Sequence, residues 1–173
     1  MRILIASNNP HKRAEFAQIF SHHQLLSPAD LGISMEVEET GATFLENALL
    51  KARAVEDLAS ASGRSGMAIL ADDSGLCVDA LQGRPGIYSA RYGSPDGGAT
   101  ELEAADRNRL LLEELRGATS RAAHFVCAIV LLLAGDRAII AQEAWHGTIA
   151  REPADGGFGF GYDPVFFVPG ERM

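Results

Sequence analysis

Hydrophobic and polar positions along this chain alternate between strand-like and helix-like spacing. Ile3-Leu4-Ile5-Ala6 is a short continuous apolar run, the pattern of a buried strand, and Ser7-Asn8-Asn9-Pro10 breaks it. Spacing then predicts a helix from His11 to Phe20, with Phe16, Ile19 and Phe20 on its apolar side. Ser27 to Met35 reads as loop, and Glu36-Val37-Glu38-Glu39 as a short strand end. Thr43-Phe44-Leu45-Glu46 has the form of a capping box, and Leu45, Ala48, Ala52, Val55 and Ala59 follow as a helical stripe that Ser62-Gly63 ends. Met67 to Leu70 and Leu76 to Val78 read as strands on either side of an acidic turn.

Further along, Gly83-Arg84-Pro85-Gly86 is a loop, and Thr100 with Glu103 forms a second capping box opening a helix to Leu115. Ala122 to Leu133 is predicted as a strand buried on both faces, and Ala138 to His146 as a more mixed one. Trp145 and the Phe125 region are assigned to the core. Pro153 to Asp163 is a glycine-rich loop before a last strand, Val165 to Val168. Strands that alternate with helices and then pair among themselves predict an α/β fold with a mixed sheet.

Composition narrows the function classes. The 173 residues fit one domain, and 47% hydrophobic with 22% charged content is that of an ordinary globular chain. A net charge of −8 argues against a polymeric nucleic-acid partner, whose binding draws on many Lys and Arg contacts to phosphate. It leaves room for a small anion held by a local basic pocket. The apolar run from Phe125 to Ala134 is half of the roughly 20 residues needed to span a bilayer, so no membrane role and a cytoplasmic location are expected. Cys77 and Cys127, in apolar strand contexts, are expected to be buried free thiols.

The chemistry-bearing stretch is Asp72-Asp73-Ser74-Gly75. Adjacent carboxylates after a buried strand are costly to desolvate, so either the segment is a plain Asp-Ser-Gly turn or it opens into a cleft with a compensating cation. Ser7 to Lys12, between strand and helix, is either an ordinary capped turn or a phosphate cradle using helix N–H groups and the Lys12 charge. Glu36, Glu38 and Glu39 are a solvated run or hard-cation ligands. Asn47 and Lys51, four apart and off the apolar stripe, read first as solubilising surface, the alternative being that Lys51 reaches a polyphosphate. Gly157-Phe158-Gly159-Phe160-Gly161-Tyr162-Asp163-Pro164 alternates glycine with aromatics, which suits close approach to a flat ligand or a tight strand corner.

Taken in order, five segments resemble the noncanonical purine nucleoside triphosphate pyrophosphatases, the inosine/xanthosine triphosphatase family. They are Ser7-Asn8-Asn9-Pro10-His11-Lys12, Glu38-Glu39-Thr40-Gly41-Ala42-Thr43-Phe44-Leu45-Glu46-Asn47-Ala48 with Lys51-Ala52, Ala71-Asp72-Asp73-Ser74-Gly75-Leu76, Pro85-Gly86-Ile87-Tyr88-Ser89-Ala90-Arg91-Tyr92, and Gly159-Phe160-Gly161-Tyr162-Asp163-Pro164.

The resemblance implies a single two-lobed α/β domain over residues 1–173, a mixed sheet flanked by helices with the active-site cleft between the lobes. It implies a homodimer that uses Mg²⁺ and hydrolyses ITP, dITP and XTP to the monophosphate and pyrophosphate. It assigns Asp73 as general base and metal ligand and Glu39 as the other metal ligand, with Glu38 and Asp72 as further candidates. Ser7, Asn8, Asn9, Pro10, His11, Lys12 and Lys51 would hold the triphosphate, and Ser74 would touch substrate. Phe160, Gly161, Tyr162 and Asp163 would lie against the nucleotide, with Phe160 on the base. Family members continue into a Lys-bearing segment and a Ser-His-Arg motif that grips the purine. This chain ends at Gly170-Glu171-Arg172-Met173, so it is expected to be short at its C-terminus, with those contacts unmatched. The alternatives to the purine reading are a related enzyme for modified pyrimidine nucleotides and a catalytically impaired nucleotide-binding, dimerising protein.

Overall fold

A computed structural model describes residues 1–96, 100, 102–135, 137–154 and 159–170. Gly157 and Phe158 of the glycine–aromatic stretch, and residues 171–173 at the C-terminal end, lie outside the described residues. The elements are β1 (Arg2–Ile5), α1 (Pro10–Ile19), β2 (Gln24–Leu26), α2 (Phe44–Ala61), β3 (Ala68–Val78), α3 (Ala104–Glu114), β4 (Ala122–Leu133), β5 (Arg137–Ile149) and β6 (Phe166–Phe167), with short 3₁₀ turns among them. The six strands form one sheet in the order β2-β1-β3-β4-β5-β6. β1 pairs in parallel with β2 and β3, and β5 with β6 antiparallel, so the sheet is mixed as the alternation of elements predicts.

The chain divides into two compact units. The first comprises Met1–Asp73 and Cys127–Glu143, the second Ser74–Val126 and Ala144–Met173. In the first, strand alternation sorts apolar residues onto two faces. Leu4, Ala6, Ile69, Ala71, Val130 and Leu132 pack with Ala48, Ala52, Val55 and Ala59 of α2. Ile3, Ile5, Ala68 and Leu70 pack with Phe16 of α1 on the other face. The second unit has its own core of Leu76, Val78, Leu111, Leu115, Tyr162 and Val165.

Local chemistry explains the helix ends. Asn9 caps α1, its side chain accepting from the His11 and Lys12 amides, and Pro10 occupies the first turn where no N–H is needed. Phe16 is buried and Phe20 packs beside it, whereas Ile19 is exposed, contrary to the expected stripe. Thr43 Oγ1 accepts from Glu46 N at 3.1 Å, and Glu46 reaches back to the Ala42 amide at 2.6 Å. The box at Thr100 does not form. Thr100 is tied to Asp96 through its amide (2.9 Å) and hydroxyl (2.6 Å), a local acceptor that outcompetes the helix, and α3 starts behind Glu103.

Other expectations are corrected. The acidic segment is no turn: β3 runs through it unbroken for 11 residues. Residues 36–39 form no strand, while β2 forms where none was expected. β4 is only partly buried, and β5 is exposed from Arg137 to His146. Trp145 therefore lies largely in solvent rather than in the core, Cys127 is exposed and Cys77 half-buried, both thiols free. Among the described residues no helix is long and apolar enough to cross a membrane.

Gly147 shows how closely β5 and β6 approach. A Cβ there would meet the Phe167 carbonyl oxygen at 2.5 Å and the Phe166 ring at 2.6 Å. Gly147→Ala is expected to destabilise the fold by about 1–3 kcal/mol, read from the urea midpoint. An unchanged midpoint would show that β6 can move aside freely.

Candidate active site

The centre of the first unit is built on the period of a strand. Asp72 and Asp73 are consecutive in β3, so their side chains leave opposite faces of the sheet. Both are buried, at 3% and 6% exposure. Asp72 turns to the face covered by α1, where it forms an ion pair with Lys12 Nζ. Asp73 turns to the α2 face, where Lys51 Nζ lies 3.0 Å from Asp73 Oδ1 and 3.0 Å from Glu39 Oε1.

Asn47 and Lys51 are not surface. The helix that spaces them four apart directs both inward, leaving Asn47 fully buried and Lys51 9% exposed. Asn47 Nδ2 donates to Asp73 Oδ2 at 3.2 Å, and its Oδ1 accepts from the Gly41 amide at 2.8 Å. A side chain at position 41 would collide with this arrangement, since a Cβ would lie 2.7 Å from Asn47 Oδ1. Gly41 thus lets the acidic segment close onto α2, bringing Glu39 to Lys51. Sequence spacing missed Asn47 and could have found it only by weighing a second, polar stripe on α2 against the apolar one.

The acidic run is divided by the same close fit: Glu39 is half-buried and faces Lys51, whereas Glu36 and Glu38 are exposed. The Ser7–Asn9 turn is tightly knit. Ser7 Oγ accepts from the Asn9 amide at 3.2 Å, and Asn8 Nδ2 donates to the Met35 carbonyl at 3.0 Å. The first helical amides of α1, at His11 and Lys12, are held by Asn9 itself.

Electrostatics follow from burial and company. Burial pushes the Asp73 carboxyl above the usual range, Lys51 pulls it down, and the Glu39 charge adds to the rise. Burial also works against the Lys51 ammonium, but the charges of Asp73 and Glu39 outweigh it and raise its pKa above the ordinary lysine value. Glu39 and Asp73 therefore converge on a position that a cation must fill. Their donors are all hard carboxylate oxygens, the set that suits a magnesium-like ion, and Lys51 meets that demand here. Among the described residues no three acidic, His or Cys groups are gathered round one point.

The remaining predicted residues belong to the second unit. Ser74 is half-buried in β3. Tyr162 is a core residue whose hydroxyl donates to the Ser89 carbonyl at 2.9 Å, and Ser89 Oγ in turn accepts from the Leu76 amide at 2.8 Å. Asp163 Oδ2 accepts from the Phe160 amide at 2.8 Å, closing a turn around Gly159 and Gly161, both at positive φ. The Gly161 carbonyl is held by Asn108 Nδ2 of α3 at 3.0 Å. Within this loop Gly159 and Asp163 are exposed, Phe160 and Gly161 are half-buried, and Tyr162 is buried.

The Lys51 contribution to stability has a definite pH signature. Its folded pKa is raised, so the contribution is complete below the unfolded value of 10.5 and is lost as pH rises through the folded value. Lys51→Met removes the cation that Glu39 and Asp73 share, and is expected to cost about 3 kcal/mol at pH 7. The Asp73 pKa then rises further, so the variant's deficit shrinks as pH falls toward 4 and Asp73 protonates. Urea unfolding at pH 4, 7 and 9 measures this, and a deficit independent of pH would contradict it.

The profile of the Ham1 family matches residues 3–173 of this chain. Over 168 residues the chain is 45% identical to a dITP/XTP pyrophosphatase of Treponema denticola, covering 97% of this chain and 82% of that relative. A dITP/XTP pyrophosphatase of Treponema pallidum is 45% identical over 169 residues, covering 98% of this chain and 59% of the relative. The structure of a HAM1 protein from Coxiella burnetii is similar with a TM-score of 0.82 and 36% identity, over 98% of this chain and 82% of that one.

Proposed function

The chain belongs to the Ham1 family, and we propose that it hydrolyses the noncanonical purine triphosphates dITP, ITP and XTP to the nucleoside monophosphate and pyrophosphate. The observation that carries this reading is the buried lysine shared by Asp73 and Glu39, with the Lys12–Asp72 pair on the opposite sheet face. From the two faces of one strand the arrangement supplies the cations a triphosphate needs and the carboxylates that a metal and a nucleophilic water need.

In this reading Asp73 is the general base, and Lys51, Lys12 and the Ser7–Lys12 turn hold the phosphates. The lysines are already neutralised by their carboxylate partners, so substrate binding is an exchange of partners rather than a burial of bare charge. As Lys51 moves from Asp73 to a phosphate oxygen, the carboxylate loses the charge that lowers its pKa and becomes a better proton acceptor. Asp73 takes a proton from water as the water oxygen attacks phosphorus, the α–β anhydride bond breaks, and pyrophosphate leaves. Asn47 holds the second carboxylate oxygen so that the first faces the reacting water.

Mg²⁺ fits the convergent Glu39 and Asp73 oxygens, and when bound there it supplies neutralisation of the charge that grows on the phosphates. The opposite orientation of Asp72 favours a role beside Lys12, and exposed Glu38 stays outside this set. In the second unit Ser74, Phe160 and Gly161 are read as nucleotide contacts, Phe160 stacking on the base, while Tyr162 and Asp163 shape the loop that presents them. The two units are read as one pyrophosphatase domain. The enzyme is read as a cytoplasmic homodimer, and the exposed Ile139 and Ile140 of β5 offer apolar surface to a second copy.

Pyrophosphate release from ITP, dITP, XTP, ATP, GTP and a modified pyrimidine triphosphate tests the activity. Turnover is expected for the first three, abolished by EDTA and restored by Mg²⁺. Asp73→Asn is expected to lower kcat by about 10²–10⁴ with folding retained. Nucleotide binding without turnover, unaffected by Asp73→Asn, would replace this reading by that of a nucleotide-binding protein.

Asn47→Ala tests the positioning role separately. It is expected to lower kcat by about tenfold or more while KM changes little, because Asn47 acts through its hydrogen bond to Asp73. A change confined to KM would place Asn47 on the substrate instead.

A further inference from the structure

The second unit carries a pair of imidazoles that the proposed reaction does not use. His124 of β4 and His146 of β5, on strands adjacent in the sheet, hold their ring centroids 5.2 Å apart with the planes tilted by 37°. Two imidazoles bound through nitrogen to one tetrahedral ion, with bonds of about 2.0–2.1 Å, have centroids about 5 Å apart. Behind His124, Asp79 Oδ1 lies 4.0 Å from Nδ1. At that distance the carboxylate makes no direct hydrogen bond to the ring; it places a negative charge beside the pair, which favours a bound cation. The His124 side chain is 28% exposed and His146 is on the surface, so an ion can reach the pair from solvent.

The geometry points to a second metal site, in which His124 and His146 together bind one borderline divalent transition ion (Zn²⁺, Ni²⁺ or Cu²⁺) beside the charge of Asp79. Nitrogen donors set this site apart from the carboxylate centre, because imidazole suits these ions and Mg²⁺ prefers oxygen. Among the described residues no three His, Cys, Asp or Glu groups are gathered for a metal, so this is an open two-donor site completed by water. Such a site holds its ion reversibly, unlike a closed structural centre. Its ligands come from two neighbouring strands, so the bound ion staples β4 to β5 and stabilises the folded chain by mass action.

Calorimetric titration of the full chain with ZnCl₂ and NiCl₂, in excess Mg²⁺, tests the assignment. One ion per chain is expected, with a rise in Tm. His124→Gln and His146→Gln should each weaken that event at least about tenfold and remove the Tm rise, and Asp79→Asn should weaken it by a smaller factor, as the loss of an exposed nearby charge does. Unchanged binding in both histidine variants would assign the ion to His22, His23 or the Met1 amine and overturn the proposal, as would no binding at all. Electron paramagnetic resonance of the Cu²⁺-loaded wild-type chain gives an answer that needs no variant. Coupling to two imidazoles is the expected result, and coupling to one or none overturns it.

Discussion

Asp72 and Asp73 are two ionisable carboxylates in the interior of a buried strand, and strand geometry sends them to opposite faces of the sheet. Neither charge is tolerable there without a partner, and no single cation can serve both. One lysine must therefore come from each helix: Lys12 from the first turn of α1, and Lys51 from the middle of α2. This constraint accounts for the shape of the surrounding chain. The Asn9 cap fixes where α1 begins and so where Lys12 points. The buried polar edge of α2 fixes Asn47 and Lys51 beside Asp73.

The α2 side carries the denser network. Lys51 is desolvated, yet two carboxylates more than offset that cost, and its pKa rises rather than falls. Asp73 shows the converse balance: burial and the neighbouring Glu39 charge win over Lys51, and its pKa also rises. In the proposed reading, a carboxylate held above its ordinary range by burial, and restrained by a lysine that a phosphate can draw away, is a base whose strength depends on whether substrate is present. Gly41 is the steric condition for this arrangement, because only a residue without Cβ lets the segment bearing Glu39 lie against Asn47.

The second unit is organised around a different need, the fixing of a glycine-rich loop. Tyr162 is anchored in the core and bonded to the Ser89 carbonyl, Asn108 holds the Gly161 carbonyl, and Asp163 closes the turn on the Phe160 amide. With its neighbours so tied, Phe160 has a defined position despite the freedom that Gly159 and Gly161 give the backbone. Within the stretches of β4 and β5 that belong to the same unit, the two histidines stand on a part of the sheet that remains open to solvent.

Local rules made much of this protein legible from its residues. The apolar stripe of α2, the Thr43 cap, the stop at Ser62-Gly63 and the limits of β4 follow from spacing and capping chemistry, which act within a few residues. The five ordered motifs picked out the family, and they contain Glu39, Lys51 and Asp73, which the structure brings together. Errors arose where the outcome depended on something distant in sequence. Asp72-Asp73-Ser74-Gly75 has good turn chemistry but lies within a continuous strand, because Lys12 and Lys51, 60 and 22 residues away, make burial of its charges tolerable. Asn47 and Lys51 looked like surface because their partners are brought to them by β3 and the segment before α2. Trp145 looked like core because its hydrophobicity is local, whereas the exposure of β5 is a property of the sheet. The sequence by itself determined the elements, the chemistry of the donors and the family. Only the tertiary structure decided which carboxylate meets which lysine, since that pairing depends on the face of the sheet from which each side chain leaves.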